Sequence, residues 1–270
     1  MGKSIEEKFA RLREIFLSMG RVIVAYSGGV DSTLLLRVAR DTLGKENVLA
    51  ITALSPLYPD RELMGAKRMA QEMGVKQILI ESNELEIEGF SKNPLNRCYF
   101  CKKELFGEIQ KLGQKEAILS IVEGSTLDDE RDYRPGKKAI QELGIRSPLR
   151  EARFTKEDVR ELSRTLGLPT WDKPSFACLA SRFPYGEEIT PAGLKMVNEA
   201  EEFLFSLGFK QVRVRHYQNL ARIEVYPEEM SRLMDGSLRE KVVDRLKKVG
   251  YQYVTLDLQG FRSGSMNEVL

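Results

Sequence analysis

Histidine is almost missing from this chain: there is one, His216, among 270 residues. A histidine relay or a histidine-rich metal centre has no material to be built from. Cysteine is scarce as well. Cys98, Cys101 and Cys178 are too few for a disulfide scaffold and one short of an all-thiolate zinc site. Charge of one sign is lacking too, since 42 Lys+Arg face 40 Asp+Glu for a formal net charge of +2. A balance so close to neutral argues against a protein whose main task is coating nucleic acid or an acidic membrane. No apolar run approaches the ~18 residues of a membrane span, and the first residues lack the apolar core of a signal peptide. The expected compartment is the cytoplasm, with neither membrane nor nucleic acid as partner. There is no internal repeat and no low-complexity segment.

What is present is an ordinary globular composition, 42% hydrophobic and 30% charged. The length is enough for a full core and reaches the size at which chains divide in two. Residues 4–19 read as an amphipathic helix, with Ser4 and Glu7 at capping-box spacing. A short apolar run, Arg21–Tyr26, suits a buried strand and is followed by a glycine turn and a helix over Asp31–Leu43. The alternation continues with strand Val48–Leu54, helix Pro59–Met73, strand Gln77–Ile80, helix Cys98–Leu112 and strand Ala117–Glu123. Helical pattern resumes at Lys137–Leu143 and, after a Thr155 cap, at Lys156–Leu166. Strands alternating with helices of this length predict an α/β fold with a parallel sheet covered on both faces.

Around residues 169–186 the periodicity fades among Pro169, Pro174, Pro184 and Gly186, which predicts a loop and a domain boundary. Beyond it, helix 191–207, strands near Gln211–His216 and Ala221–Tyr226, helical segments 228–234 and 237–249 and strand Tyr251–Leu258 suggest a small α+β domain. The expected division is 1–184 and 185–270.

The strongest local signal is Ser27-Gly28-Gly29-Val30-Asp31-Ser32, between the first strand and its helix. Two glycines let backbone N–H groups turn toward an anion with no Cβ in the way. The helix that follows adds its N-terminal donors and dipole. Ser27 and Ser32 offer hydroxyls, and Asp31 could hold a magnesium ion bridging phosphates. The place, at the carboxyl end of a central strand, is where open α/β sheets bind ligands. The alternative is a turn capped by Ser or Asp with no ligand; the whole hexapeptide in strand–turn–helix context favours the phosphate site. The hexapeptide resembles the pyrophosphate-binding loop of the PP-loop ATPases, the adenine nucleotide alpha-hydrolase-like group of Rossmann-like folds. That resemblance implies cleavage of ATP between its α and β phosphates and adenylation of a carbonyl or carboxylate oxygen.

Cys98 and Cys101 stand three positions apart at an expected helix start, where the dipole and Arg97, Lys102 and Lys103 favour thiolates. Spacing alone leaves a metal site and a redox dithiol equally open. Cys178 read by itself is either a third ligand or a small buried hydrophobe between Phe176 and Leu179. Three thiolates suit an iron–sulfur cluster with one iron left open.

Four segments carry a closer resemblance: Ser27–Ser32, Pro174–Gly186, Gly124–Gly136 and Gly260–Glu268. Together they resemble the LarE family, ATP-dependent sulfur transferases of nickel-pincer cofactor synthesis, over essentially the whole chain. The resemblance implies a small nucleotide substrate, pyridinium-3,5-biscarboxylic acid mononucleotide, whose carboxylates are adenylated by ATP and Mg2+ with release of pyrophosphate. Sulfur then enters with loss of AMP. Members with one cysteine sacrifice the sulfur at the Cys178 position, whereas members with three hold a [4Fe-4S] cluster. For this chain the resemblance therefore implies Cys98, Cys101 and Cys178 as cluster ligands, with sacrificial Cys178 as the alternative. It also implies a hexamer, an external sulfur donor of unknown identity, and adenosine beside Ser55 and Gly124.

On Val212–His216 the strand period puts Arg213 and Arg215 on one face, a pair suited to a phosphate or carboxylate. The alternative is a solvated strand face. Ser181 and Arg182, beside Cys178, are further substrate candidates. Asp128, Asp129, Asp132 and Arg134 could contact nucleotide or cap the next helix. His216 reads as a surface or packing residue rather than a base, and Trp171, Met64, Met69 and Met73 read as packing. An amidating PP-loop ligase would need no thiols, and a tRNA thiolation enzyme would want more positive charge. A non-enzymatic cluster- or ATP-binding module is the remaining alternative.

Overall fold

The fold follows from where the apolar runs must be covered. In the computed structural model, which describes residues 3–130, 135–174, 176–262 and 264–269, the chain divides into two compact units. One comprises Met1–Asn83 and Asn96–Phe176, the other Glu84–Leu95 and Ala177–Leu270.

The first unit is built on a four-stranded sheet of β1 (Val22–Ala25), β2 (Val48–Leu54), β3 (Lys76–Glu81) and β4 (Ser120–Val122), in the order β3-β2-β1-β4. All pairings are parallel, with Val22 opposite both Val48 and Ser120. Helices α1 (Lys3–Met19), α2 (Val30–Leu43), α3 (Asp60–Glu72), α4 (Arg97–Lys115), α5 (Gly136–Glu142), α6 (Pro148–Glu151) and α7 (Lys156–Thr165) make the connections. Alternation along β1 feeds two cores: Val22 and Val24 pack with α1, α2 and α7, while Ile23 packs with Phe106 and Ile109 of α4 and Ile140 of α5. A parallel sheet buried on both faces needs this apolar run, because each face meets a helix layer.

The topology decides the site. The chain steps from β1 outward through β2 to β3, then returns to place β4 on the other side of β1. The strand order reverses between β1 and β4, and the loops leaving their carboxyl ends diverge to form a crevice.

The second unit carries β5 (Val212–Tyr217), β6 (Leu220–Val225) and β7 (Tyr253–Leu256), with β6 antiparallel to β5 and parallel to β7. Helices α8 (Pro191–Ser206), α9 (Met230–Met234) and α10 (Gly236–Val249) supply Leu204, Leu233, Val242 and Leu246 to its core.

Several sequence expectations need correction. Helix α1 already includes Ser4, so Ser4 is not its cap. Strand β4 starts at Ser120 rather than Ala117, because Ala117 takes a positive φ of 55° to leave α4. Met69 and Met73 are buried, but Met64 is 58% and Trp171 38% exposed, so neither is a core residue. The Thr155 cap forms a full capping box with Asp158.

Candidate functional site

The hexapeptide occupies the turn between β1 and α2. Gly28 is buried with φ 74°, and a Cβ there would lie 2.8 Å from Cβ of Ala66 on α3. Glycine is required twice over, for the left-handed backbone and for the close approach. Gly29 is the N-cap of α2, and helix geometry leaves the N–H groups of Val30, Asp31 and Ser32 without intrahelical acceptors. The two serines hold the turn: their Oγ atoms lie 3.1 Å apart, and Ser32 Oγ donates to the Gly29 carbonyl at 3.3 Å. Gly124, leaving β4, closes the other wall. A Cβ there would stand 3.1 Å from the backbone nitrogen of Ser32 and 3.2 Å from Cβ of Asp31. The structure thus brings Ser27, Gly28, Gly29, Asp31, Ser32 and Gly124 together at the switch point. Ser55 is at the carboxyl end of neighbouring β2, buried, its Oγ accepting the Leu57 N–H at 3.0 Å.

Asp31 is the charged centre of this edge. Lys156, the first residue of α7, forms an ion pair with its Oδ2. Its Oδ1 is buried and has no hydrogen-bond partner among the described residues. Burial raises the carboxyl above the ordinary carboxylate range, and Lys156 opposes that rise. A second lysine, Lys173, donates to the Gly28 carbonyl at 3.1 Å and pairs with Glu62 of α3 at 2.7 Å. Neither lysine is marked by a motif, and nothing in their sequence surroundings points to the turn. Only the tertiary structure finds them.

The acidic segment after β4 is used for scaffolding. Asp129 accepts from the Thr126 N–H at 2.7 Å, and Asp128 accepts from the Lys156 N–H at 2.6 Å. Both cap backbone, one of them across to α7. Asp132 and Arg134 lie outside the described residues. Glu123, which sequence reading did not single out, is buried and accepts from Ser125 and Ser147 hydroxyls at 2.8 and 2.5 Å.

Cys98 and Cys101 are half-buried, one turn apart in the first turns of α4. The next residue, Lys102, reaches Glu123 at 3.9 Å, which ties this turn to the carboxyl end of β4. Gly136 packs on the same turn, where a Cβ would lie 3.1 Å from the Cys98 carbonyl oxygen. Cys178 belongs to the second unit, half-buried, as the residue before a 3-10 turn at Leu179–Arg182. Among the described residues, no three His, Cys, Asp or Glu side chains are arranged as a metal-binding group.

The arginines of the second unit are interior. Arg182 is fully buried, forks onto both Glu201 oxygens at 2.8 Å, and donates to the Ala177 and Cys178 carbonyls and to Ser181 Oγ. Arg215 forks onto Glu224 at 2.8 Å and donates to the Ser181 carbonyl and Ser265 Oγ. Arg213 lies over the Phe261 ring, 5.3 Å from its centroid. Burial and the Arg182 guanidinium bring Arg213 down to about 9. Burial pushes Glu201 up, but Arg182 overrides it and holds the carboxyl below its ordinary value. A solvated strand face is therefore excluded for Arg213 and Arg215. Sequence periodicity placed them on one face correctly but could not see that Glu224 stands opposite Arg213 on β6 and pairs with Arg215. Of the two places the sequence left open for His216, the structure shows packing: its ring lies tilted against Phe183, centroids 4.7 Å apart, and its Nδ1 is 3.1 Å from the Tyr251 hydroxyl.

Comparison with known proteins agrees with this geometry. The NAD synthase family profile matches residues 10–93, the stretch that contains β1, the glycine turn and α2. An uncharacterized protein of Synechocystis sp. is 47% identical over 98% of this chain and 99% of its own length. The pyridinium-3,5-bisthiocarboxylic acid mononucleotide synthase of Lactiplantibacillus plantarum is 40% identical over 99% of this chain and 96% of its own. An uncharacterized protein of Methanocaldococcus jannaschii is 31% identical over 90% and 91%. Among the described residues no helix is long and apolar enough to cross a membrane.

Proposed function

The chain belongs to the family of the pyridinium-3,5-bisthiocarboxylic acid mononucleotide synthase, a PP-loop family, and on that premise we propose that it is an ATP-dependent sulfurtransferase acting on the pyridinium-3,5-biscarboxylic acid mononucleotide. A carboxylate resists sulfur nucleophiles because its oxygen leaves poorly. In the proposed reaction a substrate carboxylate oxygen attacks the α-phosphorus of ATP, and pyrophosphate departs. The acyl adenylate then takes up sulfur at its carbonyl carbon, and AMP departs with the oxygen. Two rounds convert both carboxylates to thiocarboxylates.

The glycine turn and the N–H groups of Val30, Asp31 and Ser32 hold the departing pyrophosphate in this reading. Asp31 is the residue suited to Mg2+, since its buried Oδ1 is an oxygen donor without a partner. Ser55 and Gly124 border the nucleoside, and Ser181, Arg182, Arg213 and Arg215 belong to the substrate side. The single observation that carries the reading is the glycine turn at the β1–β4 switch point, closed by Gly124 and centred on Asp31.

For the sulfur, we propose that Cys98, Cys101 and Cys178 together hold a [4Fe-4S] cluster. The chemistry of the donor set supports this: three thiols, two of them one turn apart at a helix N-terminus. Such a group would supply a sulfide replaceable by an external donor. A hexameric assembly and a cytoplasmic location belong to the same proposal.

The test is anaerobic purification with iron and sulfide analysis, followed by turnover with ATP and the dicarboxylate nucleotide. The expected result is substrate-dependent AMP and pyrophosphate, iron in the purified protein, and loss of both iron and multiple turnover in Cys98→Ala. Pyrophosphate release indifferent to the dicarboxylate overturns the substrate assignment. An iron-free protein that turns over once and loses the Cys178 sulfur, seen by mass spectrometry, overturns the cluster in favour of sacrificial Cys178.

A further inference from the structure

The pairing of Asp31 with Lys156 has a use beyond charge balance. We propose that Lys156 is a positioning residue: it holds the Asp31 carboxylate as a resident cation until a divalent metal arrives with the nucleotide, then turns to the phosphates. The inference rests on reading the glycine turn as the phosphate site.

The geometry distinguishes a fixed base from a movable tip. The Lys156 N–H is anchored on Asp128 at 2.6 Å, and the preceding Thr155 closes a capping box with Asp158, which Lys8 grips at 2.6 Å. The backbone at the start of α7 is thus held on three sides. The Lys156 side chain is 34% exposed, so its ammonium can leave Asp31 without entering the core. On the other side of the pair, Asp31 presents a buried Oδ1 with no partner among the described residues, an acceptor that costs stability until a cation or donor meets it.

A dication on Oδ1 of Asp31 would stand close to the Lys156 ammonium on Oδ2, and the two cations repel, so each weakens the other's hold on the carboxylate. The anion within reach is the phosphate chain at the N–H groups of Val30, Asp31 and Ser32. Lys173 is not the cation that moves, because Glu62 and the Gly28 carbonyl already hold its ammonium. Metal alone loosens Lys156 with nothing to receive it. Metal with nucleotide gives Lys156 a new partner. The two ligands therefore bind cooperatively, and by linkage each strengthens the other by the same factor.

Calorimetric titration of the anaerobic full-length protein tests this with MgCl2 alone, and with a non-hydrolysable ATP analogue in the presence and absence of Mg2+. In Lys156→Ala, Mg2+ alone should bind about tenfold more tightly than in the unaltered protein, and the coupling between metal and analogue should shrink by about tenfold. Lys156→Gln should reproduce this pattern and Lys156→Arg should keep the coupling, which guards against an Ala variant that folds poorly. Metal affinity and coupling both within about twofold of the unaltered protein in Ala and Gln variants overturn the inference alone. An unaltered protein that binds no analogue under any condition overturns the phosphate-site reading, and this inference falls with it.

Discussion

The two units treat charge in opposite ways. In the first, Asp31 keeps one oxygen on a half-exposed lysine and leaves the other buried without a partner, at the end of a helix rich in unpaired N–H groups. In the second, Arg182 and Arg215 are sunk in the interior and matched by bidentate glutamates, with carbonyls taking up remaining donors. Groups left incompletely satisfied suit the proposed role of the first unit, which would exchange a metal and a nucleotide each cycle. A network with all its partners inside the chain holds a shape. Arg213 shares this interior, where burial first and the Arg182 guanidinium second bring it down to about 9.

The sharpest way to break the contrast is Asp31→Ala. Pyrophosphate release should fall by about a thousandfold or more, as for loss of a group that stabilises charge in the transition state. Full ATP cleavage in that variant removes the phosphate-site assignment.

Glu201→Ala should do the reverse. Leaving Arg182 buried with no carboxylate should cost about 3–5 kcal/mol of stability in urea unfolding. A loss below about 1 kcal/mol would show that the network is a solvated one after all.

A smaller effect concerns the turn itself. Gly28→Ala must force a side chain into a left-handed backbone and against Ala66, for about 1–3 kcal/mol by thermal unfolding. Gly29→Ala, whose Cβ would meet only Ser27 Oγ at 3.4 Å, should cost clearly less. Equal losses would mean that Gly28 has no special conformational role.

The smallest effect is a pH dependence in the second unit. Burial holds His216 below its ordinary value of 6.5, so the unfolded chain binds the extra proton first. Stability contributed by neutral His216 is then present above 6.5 and lost as pH falls through that value toward the folded one. In His216→Phe the stability curve between pH 7 and 5 should flatten by a fraction of a kcal/mol, roughly, relative to the unaltered protein. A steeper curve would contradict the sign.

Much of the first unit was legible in advance, because a parallel sheet buried on both faces writes itself as short apolar runs between amphipathic helices. Val48–Leu54 was bounded to the residue. The hexapeptide was legible for a different reason: close backbone approach leaves only glycine acceptable, and glycine is visible in sequence. Lys156 and Lys173 were not legible, since a long charged side chain looks the same whether it faces solvent or crosses to a turn more than a hundred residues away. Nor was the membership of Glu84–Leu95 in the second unit, which depends on contacts such as Asn93 Nδ2 donating to the Phe183 and Pro184 carbonyls.

By itself, then, the sequence determined the α/β alternation, the glycine turn and the set of three thiols, all features carried by local spacing or by residues with no substitute. The tertiary structure alone decided that Arg213 and Arg215 lie inside rather than on a wet face, and that Asp31 shares its carboxylate with a lysine from another helix. Burial and long-range pairing depend on which elements pack together, and that information is spread over the whole core rather than written at any one position.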